Sequence, residues 1–205
     1  NNVQGACDMG AYPNVYSGYQ KCEVAENRAK MEKAWGVTDL PDWYGVTLTE
    51  QINQCGDEIK GMYMLGLNPV VTYPDSNHVK AQLEKLDFLV IQEIFVTESC
   101  QYADVILPGA CFAEKDGTFT SGERRINRVR KAVNPPGEAK EDIWIIAELA
   151  KRMGLKTFDL QTAKEDIRSV GEEIRRKGLP SKLPPLICGF TGYGNVSKGA
   201  QEIYE

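Results

Sequence analysis

Three short apolar runs in the middle of the chain, each closed by turn residues and separated by helical patterns, restrict the fold more than any other feature. They are residues 59–65 (IKGMYML), 88–91 (FLVI) and 105–107 (VIL). The first stops at Gly66-Leu67-Asn68-Pro69 and the third at Pro108-Gly109. Between the first two lies residues 78–86 (HVKAQLEKL), an amphipathic helix by spacing, and residues 99–103 form a helical turn before the third. Strands that are apolar along their length and alternate with helices belong to parallel sheets covered on both faces, with right-handed crossovers. The expected class is α/β: a doubly wound, mostly parallel sheet in three layers, Rossmann- or flavodoxin-like.

The flanks are less regular. Residues 1–20 have no periodic stripe, yet hold Tyr12, Tyr16 and Tyr19, which points to an ordered irregular segment. Residues 24–35 read as a helix with Val24, Met31 and Trp35 on one face and Gly36 as its stop. A further helix starts at Thr47 or Thr49, either of which could cap it, and runs through Ile52. Asp116-Gly117 and Ser121-Gly122 mark turns, residues 124–133 read as extended, and Pro135-Pro136-Gly137 ends them. Residues 141–153 give the strongest helical pattern, acidic at the start and basic at the end, as the helix dipole favours. Residues 163–177 suggest another amphipathic helix before a Pro- and Gly-rich tail. The expected organisation is an opening segment with helices (1–58), an α/β cofactor-binding core (59–155), and a helix and tail leading toward a next domain (156–205), all within one structural domain.

Composition removes several classes. The chain has 205 residues, a net charge of −5 and a pI near 5.1. One basic stretch, residues 124–131, does not offset that balance, so nucleic acid is not the expected ligand. The apolar runs are far too short to span a membrane. Six cysteines occur without a C-x-x-C pair, and His78 is the single histidine, so the spacing supplies no zinc or iron–sulfur site. Buried free thiols are the better expectation than disulfides. His78 and Cys7 are read as structural, since neither has a catalytic partner in the sequence. The start at Asn1-Asn2-Val3-Gln4, with no initiating Met and no basic-then-apolar leader, suggests an excised or cleaved fragment.

Open parallel sheets take ligands at the carboxyl ends of their strands. Gly66, Asn68, Pro69 and Thr72 follow the first strand, Gln92 and Glu93 the second, and Pro108, Gly109 and Ala110 the third. The residue types suit a nucleotide. Gly66 allows close backbone approach, Asn68 can donate and accept, and Glu93 could bridge the ring N–H and amino group of guanine. Asp142 could do the same from a helix start, and Lys115 could neutralise a phosphate. Each also has an ordinary explanation: Gly-x-Asn-Pro is a common turn, Asp142 a helix-start residue, and Glu93 and Lys115 surface charges. Neither G-x-G-x-x-G nor G-x-x-x-x-G-K-[ST] occurs.

Longer strings carry a resemblance. Asn1-Asn2-Val3-Gln4-Gly5-Ala6-Cys7-Asp8-Met9-Gly10, with Pro13 and Gly18-Tyr19-Gln20, and then Ala34-Trp35-Gly36-Val37 with Leu40-Pro41, resembles the catalytic subunit of molybdopterin-dependent formate dehydrogenases. Ala103-Asp104-Val105-Ile106-Leu107-Pro108, Glu114-Lys115-Asp116-Gly117-Thr118-Phe119 and Glu123-Arg124-Arg125 resemble the wider molybdopterin oxidoreductase family, periplasmic nitrate reductases included. The resemblance runs to about residue 155.

It implies molybdenum or tungsten on two molybdopterin guanine dinucleotides, in a catalytic subunit of which this chain would be the third domain, binding one dinucleotide. By residue matching, Gly66, Asn68 and Thr72 would contact the dinucleotide. Gln92 and Glu93 would meet its ribose and guanine, Gly109 and Lys115 its phosphate or sugar region, and Asp142 its guanine. The family often has Asp where this chain has Glu93. Its metal-ligating Cys or selenocysteine, the adjacent His, an Arg-Gly-Gln segment and a four-cysteine cluster for a 4Fe-4S centre lie upstream of the Asn-Asn string. The resemblance therefore implies no catalytic or metal-binding residue in this chain and no formate oxidation by it alone. Implied partners are the remaining domains of the subunit, electron-transfer subunits and formate as substrate; the implied location is cytoplasmic. A nitrate-reductase-type subunit, or a non-catalytic nucleotide-binding or subunit-docking module, is the alternative.

Overall fold

The computed structural model describes residues 2–154 and Arg176. The expected helix at 163–177 and the tail lie outside the described residues, Arg176 apart. The chain divides into two compact units, Asn1–Gly109 with Thr120–Arg124, and Ala110–Phe119 with Arg125–Glu205.

The first unit opens with structure where an irregular segment was expected. α1 (Val3–Asp8) buries Cys7, and β1 (Val15–Tyr16) and β2 (Gln20–Lys21) form an antiparallel hairpin. Six helical residues and two-residue strands are too short for either period to register in a sequence window. α2 (Ala25–Trp35) ends at Gly36, whose φ of 67° lies in the left-handed region that glycine tolerates at a helix end. The expected apolar stripe is only partly realised. Met31 is buried with Tyr16 and Cys22, and Leu40 packs on them, whereas Val24 and Trp35 are both exposed, Trp35 set edge-on to Tyr16 with ring centroids 5.9 Å apart. α3 (Leu48–Asn53) starts where Thr47 suggests: the Glu50 carboxylate accepts from the Thr47 N–H at 2.8 Å and its hydroxyl at 2.6 Å.

The core of this unit is a parallel sheet in the order β3-β4-β5. β3 (Gly61–Leu65) leads to α4 (Pro69–Thr72), a four-residue helix with Pro at its first position, and to α5 (Ser76–Leu83), capped by Asp75. β4 (Phe88–Glu93) leads through a 3-10 turn at Glu98–Tyr102 to β5 (Val105–Pro108). Both strand pairs are parallel, with Met64 beside Ile91 and Ile91 beside Ile106. Met64, Leu89 and Ile91 bury themselves against Ile52, Val70, Val79, Leu83 and Cys100. All these partners sit on α3, α4, α5 and the 3-10 turn, so the helices of this unit cover one face. On the other face Leu65 and Phe88 remain 46% and 50% exposed. Among the described residues the strands follow chain order with no reversal. The parallel α/β architecture is therefore present, and the reversal that defines double winding is not within these strands.

β6 (Gly117–Thr120), in the second unit but for Thr120, and β7 (Ile126–Val129) make a two-stranded sheet, so part of the expected extended stretch is a strand. α6 (Asp142–Arg152) follows, with Ile145 buried and Lys151 and Arg152 in its last turn.

Candidate functional site

The strand register of the first unit brings three carboxyl ends level. Leu65 lies beside Gln92, Gln92 beside Leu107, and Glu93 beside Pro108. Gly66, Asn68, Glu93 and Gly109 sit at or just beyond these ends. Gly66 has φ of 61°, and its N–H donates to the Gln92 carbonyl at 2.9 Å. A Cβ there would meet nothing within 4 Å, so the requirement for glycine is conformational rather than steric. The Gly109 N–H donates to the Glu93 carbonyl at 3.0 Å, extending the sheet ladder by one residue.

Asn68 is fixed on every side. Its Oδ1 accepts from the Ser99 hydroxyl at 2.6 Å and the Ser99 N–H at 3.3 Å. Its Nδ2 donates to Glu98 Oε2 at 2.8 Å. Its carbonyl accepts from the Val71 and Thr72 N–H groups and from Thr72 Oγ1 at 2.9 Å. Thr72, expected at the ligand, thus turns its hydroxyl back onto its own turn. Gln92 is 1% exposed, and its Oε1 accepts from the Tyr63 hydroxyl. Glu93 is half-buried; one carboxylate oxygen accepts from the Ile94 N–H at 2.7 Å, and the second is the oxygen it can offer elsewhere.

Glu98 and Ser99 were not among the residues singled out from sequence, although they open the turn after the second strand, where topology directs attention. Thr97-Glu98-Ser99 looks like ordinary helix-start chemistry, which concealed the cross-loop hydrogen bonds. The amide of Asn68, and secondarily the Glu98 backbone N–H, hold the Glu98 carboxyl below its usual value.

In the second unit Lys115 and Asp142 form an ion pair, the two side chains 25% and 33% exposed. Asp142 is the first residue of α6, where a carboxylate also meets the positive end of the helix. Lys115 is thereby engaged by a carboxylate, and a phosphate would compete with Asp142 for the ammonium. His78 ties α5 to α3, its Nε2 2.8 Å from Asn53 Oδ1, in keeping with a structural role. Cys7, Cys22, Cys55 and Cys100 are buried free thiols, and Cys111 is a free thiol at intermediate depth. No helix among the described residues is long and apolar enough to cross a membrane.

The fold and these strand ends define an α/β domain of the kind that takes ligands at the carboxyl edge of its sheet. The family model described as molybdopterin oxidoreductase matches residues 1–152, and the chain belongs to that family. It is 55% identical over 191 residues to the F420-dependent formate dehydrogenase subunit alpha of Methanocaldococcus jannaschii, covering 93% of this chain and 27% of that one. It is 46% identical over 192 residues to F420-dependent formate dehydrogenase 1 subunit alpha of Methanococcus maripaludis, with the same 93% and 27% coverage. Formate dehydrogenase H of Escherichia coli is 42% identical over 155 residues, 75% of this chain and 22% of that one. The chain thus spans about a quarter of the length of these relatives. Among solved structures, acetylene hydratase from Pelobacter acetylenicus aligns at a TM-score of 0.47 and 28% identity, over 53% of this chain and 16% of that one.

Proposed function

We propose that this chain is the part of a formate dehydrogenase catalytic subunit that holds the nucleotide arm of one molybdopterin guanine dinucleotide. In the full-length subunit the sheet of the first unit would be part of a doubly wound, three-layer domain. The observation that carries the reading is the level register of β3, β4 and β5, which gathers Gly66, Asn68, Glu93 and Gly109 at one sheet edge. Their chemistry fits the group: an amide N–H from Asn68 and a carboxylate oxygen from Glu93 match the acceptors and donors of a sugar and a purine. Thr72 and Gln92 act here through the turn and through Tyr63, and Lys115 and Asp142 are proposed as further contacts by their match to the family. When bound, the molybdenum or tungsten centre supplies the two-electron chemistry that takes formate to carbon dioxide; the protein binds and orients the cofactor. The metal ligand, the 4Fe-4S cluster and the docking of electron-transfer subunits belong to other parts of the subunit, in a cytoplasmic enzyme.

Calorimetric titration of the full-length, cofactor-free subunit with GDP tests the reading. The expected result is saturable binding, weaker for ADP. Asp142→Ala should weaken it roughly tenfold or more, the loss of a charged hydrogen-bond acceptor. GDP binding indifferent to Asp142→Ala would remove Asp142 from the site, and equal affinity for ADP would remove guanine as the ligand.

A further inference from the structure

Ser99 is 0% exposed, one of two buried polar residues among those described, the other being Gln92. A buried hydroxyl is retained only when its hydrogen bonds are made, and this one bridges two successive β-α turns. It donates to Asn68 Oδ1 at 2.6 Å and accepts from the Val70 N–H at 3.3 Å. With the Ser99 N–H, it uses both lone pairs of the Asn68 oxygen. The amide cannot flip, because a flip would set Nδ2 against the Ser99 N–H and the carbonyl oxygen against Glu98. Asn68 therefore has no acceptor left for a ligand. One Nδ2 hydrogen is bound by Glu98, and the other is the single group it can offer. Beside it stands the exposed Glu98 carboxylate, oriented by Asn68.

We propose that Ser99 is a positioning residue that locks Asn68 and Glu98 into a donor-beside-acceptor edge, and that this edge binds an uncharged part of the nucleotide and not its phosphates. The inference rests on the nucleotide reading above and assigns to it a contact, Glu98, that sequence matching did not supply. The polarity follows from the hydrogen bonds. A phosphate is repelled by the Glu98 carboxylate, whereas a ribose diol or the Watson–Crick edge of guanine offers a donor next to an acceptor. Glu98 stays ionised to lower pH than an ordinary glutamate because the Asn68 amide bonds its charged form.

The test uses the full-length, cofactor-free subunit, titrated with GDP and with inorganic pyrophosphate. Ser99→Ala and Glu98→Ala should each weaken GDP roughly tenfold and leave pyrophosphate affinity within about twofold. Ser99→Thr, which keeps the hydroxyl, should restore GDP binding. A merely structural Ser99 would lower both ligands together. Glu98 is exposed, so its variant keeps the test open if Ser99→Ala does not fold. Two analogues locate the contact. If 2′,3′-dideoxy-GDP binds the parent weakly and Glu98→Ala adds no further loss, the edge takes the ribose; the same pattern with IDP, which lacks the guanine amino group, assigns the base. GDP affinity unchanged in both variants, or pyrophosphate weakened as much as GDP, overturns the inference alone provided Asp142→Ala still weakens GDP. No GDP binding by the parent overturns the nucleotide reading and this inference with it.

Discussion

Asn68 illustrates what a residue type promises and what its neighbours permit. An asparagine can donate and accept, but here the acceptor is consumed by Ser99, and the choice is visible only once two loops meet. Gln92 shows the same limit. Its place at the end of an apolar run suggested a ligand contact, yet as the register partner of Leu65 it is buried and bonded by Tyr63. Which way a strand's last side chain faces depends on pairing, which one sequence does not reveal. Gly66 was more legible, since a glycine directly after a strand anticipates a left-handed turn. Gly66→Ala should destabilise the protein by about 1 kcal/mol, the strain of a left-handed alanine, with no steric addition because the space is open. Urea unfolding would measure it; a loss of several kcal/mol would indicate a clash that the geometry lacks. The Lys115–Asp142 pair is about a third or less exposed, so solvent screening limits its worth. A double-mutant cycle with Lys115→Ala and Asp142→Ala should give a coupling of about 0.5–1 kcal/mol that shrinks in high salt.

At the scale of elements, length decided what could be read. α2, α5 and α6 are long enough for a period and a cap to stand out, whereas α1, α4 and the β1–β2 hairpin are not. α3 is an instructive exception, six residues legible from a start at Thr47 or Thr49, of which Thr47 is the cap. Its partner Glu50 has a carboxyl held below the usual value of 4.5, first by the Thr47 hydroxyl and then by the Thr47 N–H. A depressed folded-state pKa contributes stability that is complete above the unfolded value and lost as pH falls through the folded one. Glu50→Gln should therefore lower the melting temperature near neutral pH, and the gap from the parent should close as pH falls below the ordinary glutamate range and through the lowered folded-state value. A gap that widens in acid would show that the glutamate does not act through its ionised form.

For the whole molecule, the alternation of apolar runs and helices made the parallel sheet legible, because only buried strands can be apolar at every position. The same alternation implies two covered faces; among the described residues of the first unit the apolar core packs on one, and on the other Gln92 is buried. Met64, Leu89 and Ile91 are packed under helices, while Leu65 and Phe88, on the opposite face, stay about half exposed. The chain spans about a quarter of its relatives' length, and under the fragment reading proposed above the remaining subunit would complete that layer. The two faces can be compared by mutation in the full-length subunit. Leu89→Ala should cost about 2–5 kcal/mol, as buried leucines do. Phe88→Ala should cost about 3 kcal/mol or more if a second layer covers it, and under about 1 kcal/mol if it faces water. Thermal and urea unfolding followed at this domain would separate the cases. A covered face is expected, because an apolar strand surface left open would serve as a site of association rather than as part of a folded enzyme.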